Sequence, residues 1–209
     1  MRTLLEKIFH FIRHHKFIFI VLFVAFWFRY YRVSDFQFWS TDEEIIAHFV
    51  RKVIDEKRLF LVSPNFSLGI SLGSAFFLLS SIPYWFANLD PTQALYLTSI
   101  IGLITTGTLY LVGKNIHSVR LGFFSSFLYG ASFLASLNDR RWWTLSVAPL
   151  LTALTIFSLN KLSDKKYWYF TLLAICVMAA WQIDPNFGIL PIMAIVTFIA
   201  FHIPIIKRQ

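Results

Sequence analysis

Charge is scarce in this chain. Asp, Glu, Lys and Arg make up 14% of its 209 residues, against about 25% in an ordinary soluble domain. With 57% hydrophobic residues, that shortage excludes a soluble globular fold and predicts a polytopic membrane protein. Cysteine is almost lacking. Cys176 stands alone, so no intramolecular disulfide can form, and its apolar surroundings mark it as packing rather than as a nucleophile. The chain has no phosphate-cradling glycine loop, no Cys-x-x-Cys pair, no His-Glu-x-x-His and no nucleophile elbow. No charged residue falls at the middle of a predicted span, which argues against an ion pump or an ion-coupled transporter.

What the chain has instead is Phe, 24 copies, and a net charge of +8. On a soluble protein such a charge suggests nucleic acid. On a membrane protein it reflects Lys and Arg held on the cytoplasmic side, and no nucleic-acid partner is expected. Residues 1–16 form a basic amphipathic start suited to the inner interface. They are not read as a cleaved signal, because aromatic residues and Arg29 follow the apolar core in place of a small-residue cleavage site. His10, His14 and His15 have no carboxylate or thiol beside them and read as a polar face rather than a metal site.

Residues 17–33 are the first predicted span, with Trp27, Tyr30 and Tyr31 as an aromatic belt and Arg29 and Arg32 snorkelling at its outer end. Residues 34–66 are the longest polar stretch. Ser40-x-x-Glu43 and Thr41-x-x-Glu44 both fit a capping box, so a surface helix is expected from about Asp42 to Lys57. Its apolar stripe would be Ile45, Ile46, Phe49, Val50, Val53 and Ile54. Further spans are expected at about 92–112, 119–137, 142–159, 167–183 and 188–206.

The segment 67–87 decides the topology. If it crosses, the basic loops after 112 and 159 and the tail Lys207-Arg208 all fall outside. If it does not, they all fall inside, where 11 Lys and Arg meet 2 Asp and Glu, while the outside holds 8 against 9. The positive-inside rule favours the second arrangement. The expected fold is therefore all-α, a transmembrane bundle of about six spans with a cytoplasmic N-terminus. It is one domain, 1–209, with an extracytoplasmic loop, 34–91, carrying surface helices. This topology puts Asp42, the turn Asn138 to Trp143 and the turn Gln182 to Asn186 on one side.

Asp42, Glu43 and Glu44 are open to two readings. Acidic residues in a first helical turn complement the helix dipole by about 0.3–1 kcal/mol each. A carboxylate beside a span can also deprotonate a hydroxyl acceptor. Arg140 and Arg141 can anchor a span among headgroups, with Trp142 and Trp143 as an interfacial belt, or can hold phosphate oxygens. Asp139 can be a partner for those arginines. Asp184-Pro185-Asn186 is a turn signal first. Glu44 and His48 make an i, i+4 pair too small to specify a metal. No cofactor is specified, and a divalent metal is not supported.

Trp39-x-x-Asp42-Glu43 after one span, then a surface helix, an apolar non-spanning helix and a span ending Leu-Tyr-Leu-Val-Gly-Lys (109–114), form a familiar order. It resembles the N-terminal part of the GT-C-type, polyprenyl-phosphate-dependent glycosyltransferases. That group includes the protein O-mannosyltransferases and the lipid A aminoarabinose transferases. Arg140-Arg141-Trp142-Trp143-Thr144-Leu145 is similar to the family's outer turn before its fourth span, and Gln182-Ile183-Asp184-Pro185 to the turn after its fifth. The resemblance implies sugar transfer from a lipid-linked donor at the extracytoplasmic face of a bacterial inner membrane. Asp42 would be the catalytic carboxylate and Glu43 its neighbour, with Asp139, Arg140, Arg141, Gln182 and Asp184 around the substrate. Asp184 stands where many relatives carry histidine, a departure from a family-type metal site. Family enzymes are longer, so a split enzyme completed by a second chain, a fragment and an inactive relic are all expected alternatives. The rivals from other classes are a non-catalytic scaffold or accessory subunit, and a lipid-phosphate-binding protein.

Overall fold

The computed structural model describes residues 16–35, 39–65 and 71–206. The basic start before Lys16 and the tail Lys207 to Gln209 lie outside the described residues. Among the described residues the chain is helical apart from connecting turns and one short antiparallel ladder. Helix α1 runs Lys16–Tyr30, α2 Thr41–Glu56, α3 Ala75–Phe86, α4 Pro91–Ile116, α5 Val119–Gly130, α6 Phe133–Asp139, α7 Ala148–Ser163, α8 Tyr169–Ile183 and α9 Pro185–Ile206. Strands β1 (Val62–Asn65) and β2 (Ser71–Gly73) pair between α2 and α3.

Each helix boundary has a local cause. In α1, Phe26 stacks on Tyr30 and Trp27 on Tyr31, one turn apart, and the chain leaves at Arg32 with positive φ. Helix α2 opens on a capping box between Ser40 and Glu43 and closes at Lys57 in the left-handed region. It buries Ile46, Phe49, Val50 and Val53, all on the predicted stripe. Helix α4 starts at Pro91, with Asp90 accepting the Thr92 N–H at 2.8 Å. Its buried threonines return their hydroxyls to the carbonyl three or four residues back: Thr98 to Leu95, Thr105 to Ile101 and Thr106 to Gly102, each at 2.8 Å. A hydroxyl bonded to its own helix can sit in an apolar interior without an unmet donor.

The bundle has two chemically distinct ends. At one, Lys16 and Phe17 of α1 lie by Phe123 of α5, and the Lys161 ammonium of α7 donates to the Asn115 side chain of α4. Lys114 in the last turn of α4, Arg120 in the first turn of α5, and Lys165 and Lys166 just after α7 flank the same connections. At the other end one apolar cluster joins Val33, Ile46, Phe49, Phe76, Tyr84, Leu95, Trp142, Val147 and Ile183. This cluster gathers the turn after α1, one face of α2 and of α3, the start of α4, the turn before α7 and the end of α8. The three segments expected on one side are therefore at one end of the bundle, and the basic loops at the other.

Helix lengths support part of the expected span count. Pro91–Ile116 and the helical run Thr144–Ser163 are long and apolar enough to cross a bilayer. Ala75–Phe86, Tyr169–Ile183 and Gly188–Ala200 are apolar but shorter, so length alone does not establish six crossings. Helix α3, with 12 residues, rises about 18 Å, well short of a hydrocarbon core of about 30 Å. The expected continuous span 119–137 is broken instead. Helix α5 ends at Gly130, and Ser132 caps α6 by accepting the Ala135 N–H at 3.2 Å. Trp142, expected at an interface, is buried and stacks on Phe76 with ring centroids 5.5 Å apart.

Helices α4 and α5 touch backbone to backbone. A Cβ on Gly113 would lie 2.7 Å from the Gly122 Cα, and one on Gly122 would lie 2.5 Å from the Tyr110 carbonyl oxygen. Small residues permit this approach, as in helix pairs within membranes. Gly122→Leu should therefore lower the unfolding temperature in detergent, with a loss of at least about 1–3 kcal/mol from overpacking. Gly107→Ala, where an added Cβ meets nothing within 4 Å, should leave it unchanged or raise it.

Candidate functional site

The polar end is built on ion pairs between segments far apart in sequence. Arg29, in the last turn of α1, and Asp139, at the end of α6, are 0% and 1% exposed. The Arg29 Nε and Nη2 reach Asp139 Oδ2 at 2.8 and 2.7 Å. The Arg29 Nη1 also donates to the carbonyls of Ala25 at 3.2 Å and Gly130 at 3.0 Å. Asp139 Oδ1 accepts the Tyr129 hydroxyl at 2.9 Å. Gly102 makes room for the pair, since a Cβ there would fall 2.3 Å from Asp139 Oδ2 and 2.4 Å from Arg29 Nε. Removing one partner of such a buried pair leaves an uncompensated charge and costs about 3–5 kcal/mol.

These contacts correct two expectations. Arg29 does not snorkel outward, because a desolvated carboxylate at Asp139 holds it in the interior. Asp139 does partner an arginine, but Arg29 rather than Arg140 or Arg141, and both its oxygens are engaged. The break between α5 and α6 now has a purpose. It frees the Gly130 carbonyl for Arg29 and brings Tyr129 back onto Asp139.

The next two residues extend the network. The Arg140 Nη2 donates to the carbonyls of Phe28 and of Tyr31, the latter at 2.9 Å. These belong to the C-terminal end of α1, where carbonyls lack helical partners and favour a cation. Arg140 is buried and acts there as a helix cap. Arg141 crosses to α2. Its Nε and Nη2 bond Glu43 Oε1 at 2.8 and 2.5 Å, and its guanidinium lies 4.4 Å from the centre of the Trp143 ring.

Glu43 is 1% exposed and Arg141 22%. The other oxygen of Glu43, Oε2, accepts the Ser40 N–H at 2.9 Å and the Ser40 hydroxyl. Burial alone would raise this carboxyl, but the hydrogen bonds from Ser40, Arg141 and the backbone outweigh it and hold the group below the ordinary range. Glu43 is thus a fixed anion with both oxygens engaged. Tyr84 of α3, buried nearby, is pushed the other way by desolvation and by the Glu43 charge.

Asp42 differs from its neighbour. It is half-buried and makes no hydrogen bond or ion pair among the described residues. Glu44 is exposed and lines a cavity of about 860 Å³ together with His48, Arg51, Lys52 and Tyr84. The acid that meets a guanidinium is therefore Glu43 and not Asp42. The cavity beside α2 is lined by neither of them. Gln182 packs over the hairpin, since a Cβ on Gly73 would lie 1.6 Å from its Oε1. Asp184 is half-buried where α8 gives way to α9, and its carbonyl accepts the Gly188 N–H at 3.3 Å. Among the described residues no three His, Cys, Asp or Glu side chains gather as a metal site.

Sequence reasoning missed Arg29, Tyr129, Gly102 and Tyr84. One signal was available for the first. A lone arginine inside an apolar run needs a partner, and few acids were free to serve.

The folded-state depression of Glu43 fixes the sign of a pH effect. A carboxyl with a lowered value stabilises the fold above its unfolded value, near 4.5, and that contribution disappears as pH falls through the folded value. A double-mutant cycle on Glu43→Gln and Arg141→Gln, read by unfolding in detergent, should give a coupling of about 1–2 kcal/mol at pH 7. It should shrink as pH falls below 4.5 and on through the depressed folded value. A coupling unchanged by pH would contradict the ion pair.

Comparison of the chain with protein-family models, with curated proteins and with solved structures returned no match.

Proposed function

We propose that this chain is a bacterial inner-membrane protein of about six crossings whose polar end faces the extracytoplasmic side and transfers a sugar. The donor is a polyprenyl-phosphate sugar and the acceptor carries a hydroxyl. Asp42 takes the acceptor's proton, the acceptor oxygen bonds to the anomeric carbon, and the bond from that carbon to the phosphate oxygen breaks. The lipid phosphate leaves with the electron pair, and the sugar inverts. A positioned base contributes about 10²–10⁴-fold to such a step.

One observation carries this reading. Of the acids at the polar end, Asp139 and Glu43 are neutralised by Arg29 and Arg141, while Asp42 and Glu44 carry no cation; of these two, Asp42 is the half-buried one and stands directly beside the anchored Glu43. A carboxylate already paired to a guanidinium is a poor base, and an unpaired one keeps its lone pairs for a proton. The Glu43–Arg141 pair has a supporting part. It fixes the first turn of α2 and so fixes where Asp42 stands. Segregation of basic loops to the opposite end supports the orientation. A lipid-linked donor and the membrane are then the partners.

A non-catalytic scaffold or accessory subunit is favoured by a different observation. Arg140 and Arg141, the two cations expected to meet phosphate, are bonded to α1 carbonyls and to Glu43. The two readings part at one residue. Asp42→Asn, with membrane insertion verified by carbonate extraction, should lower glycan transfer by at least about 100-fold. Unchanged transfer would remove Asp42 as base and leave the scaffold reading.

A further inference from the structure

The cavity beside α2 has a composition that the transfer reading does not use. It lies between α2, the end of α3 and the turn into α4, and holds about 860 Å³, within the size range of ligand pockets. Its polar rim comes from one face of α2, with Glu44, His48, Arg51 and Lys52 at helical spacing. Its other wall is apolar, with Ile45, Phe49, Leu89 and Pro91. Arg51 makes no hydrogen bond or ion pair among the described residues. Lys52 has only a surface contact to Glu56 at 3.9 Å and lies over the Phe60 ring at 5.2 Å. The rim thus carries two cations, Arg51 with no acid on it and Lys52 in loose contact with Glu56, against one lining carboxylate, above an apolar floor.

We propose that this cavity binds the phosphate headgroup of an anionic glycerophospholipid, with Arg51 and Lys52 on the phosphate oxygens and the first acyl methylenes against Phe49, Leu89 and Pro91. A guanidinium fits phosphate oxygens in pairs, and an ammonium adds a point charge. Charge and shape exclude two other occupants. A zwitterionic headgroup brings its own cation to the rim. A free phosphate leaves the apolar wall uncovered. The inference rests on the membrane part of the reading above but not on sugar transfer, because Asp42 and Glu43 do not line this space. A lipid bound here would pin α2 at the bilayer surface and hold its first turn, and with it Asp42, at a fixed depth.

The test is lipid retention by the full chain purified from membranes, read by native mass spectrometry against phosphatidylglycerol, phosphatidylcholine and inorganic phosphate. The chain should retain phosphatidylglycerol selectively, and inorganic phosphate should not compete at equal concentration. Arg51→Gln with Lys52→Gln should weaken retention by about 30-fold, from about 1 kcal/mol for each cation near an anionic surface. Lys165→Gln with Lys166→Gln, the same charge change at the opposite end, should leave it unaltered. Carbonate extraction of each variant separates the two readings. A chain that stays in the membrane but shows no lipid preference, an equal loss in both double variants, or equal competition by inorganic phosphate would overturn the site. A chain stripped from the membrane would overturn both readings.

Discussion

The buried pair of Arg29 and Asp139 is the constraint from which the polar end is built. Neither charge can remain in the interior without the other, so α1 and α6 must meet, and they must meet in one register. The neighbouring groups complete the match. Gly102 leaves room for it, Gly130 supplies a carbonyl after its helix ends, and Tyr129 satisfies the second carboxylate oxygen. A packed apolar contact between two helices can slide by a turn at modest cost. A desolvated ion pair with a second set of hydrogen bonds cannot.

That register is passed along the chain. Asp139 is followed at once by Arg140, which closes the end of α1, and by Arg141, which reaches α2. Ser146 ties the turn together by donating to the carbonyls of Asn138 and Arg141 at 3.0 and 2.6 Å. Three successive residues therefore tie the end of α6 to α1, which is held twice, to α5 and to α2. The first turn of α2 is fixed twice, by Ser40 and by Arg141, both acting on Glu43. Asp42 sits between these fixed groups and takes part in neither. On the proposed function, this is how a small helical chain places one unpaired carboxylate at a defined point using partners that themselves do no chemistry.

Much of this was legible in the sequence wherever its cause is local. The Ser40 to Glu43 spacing specifies a capping box, and α2 begins there. Its apolar stripe is the buried face. The bias of Lys and Arg to the connections after 112 and 159 matches the end of the bundle where those two connections lie, opposite the polar segments. What escaped the sequence depends on partners remote in the chain. Arg29 and Asp139 are 110 positions apart, and nothing near either names the other. The break at Ala131 and Ser132 serves that remote pair, so an unbroken span was the natural expectation. Arg140 and Arg141 look like headgroup anchors in sequence because their acceptors, the α1 carbonyls and Glu43, are also distant. The hairpin at β1 and β2 is too short, and too rich in Ser, Pro and Gly, to show a strand period.

The claim that one buried ion pair holds the polar end together has a direct readout in amide hydrogen exchange. Asp139→Asn keeps the shape of the side chain and removes its charge. The account predicts that the variant loses protection not only in α1 and α6 but also over residues 41–47 of α2, which Asp139 does not touch. Loss confined to α1 and α6, with the first turn of α2 as protected as before, would contradict it.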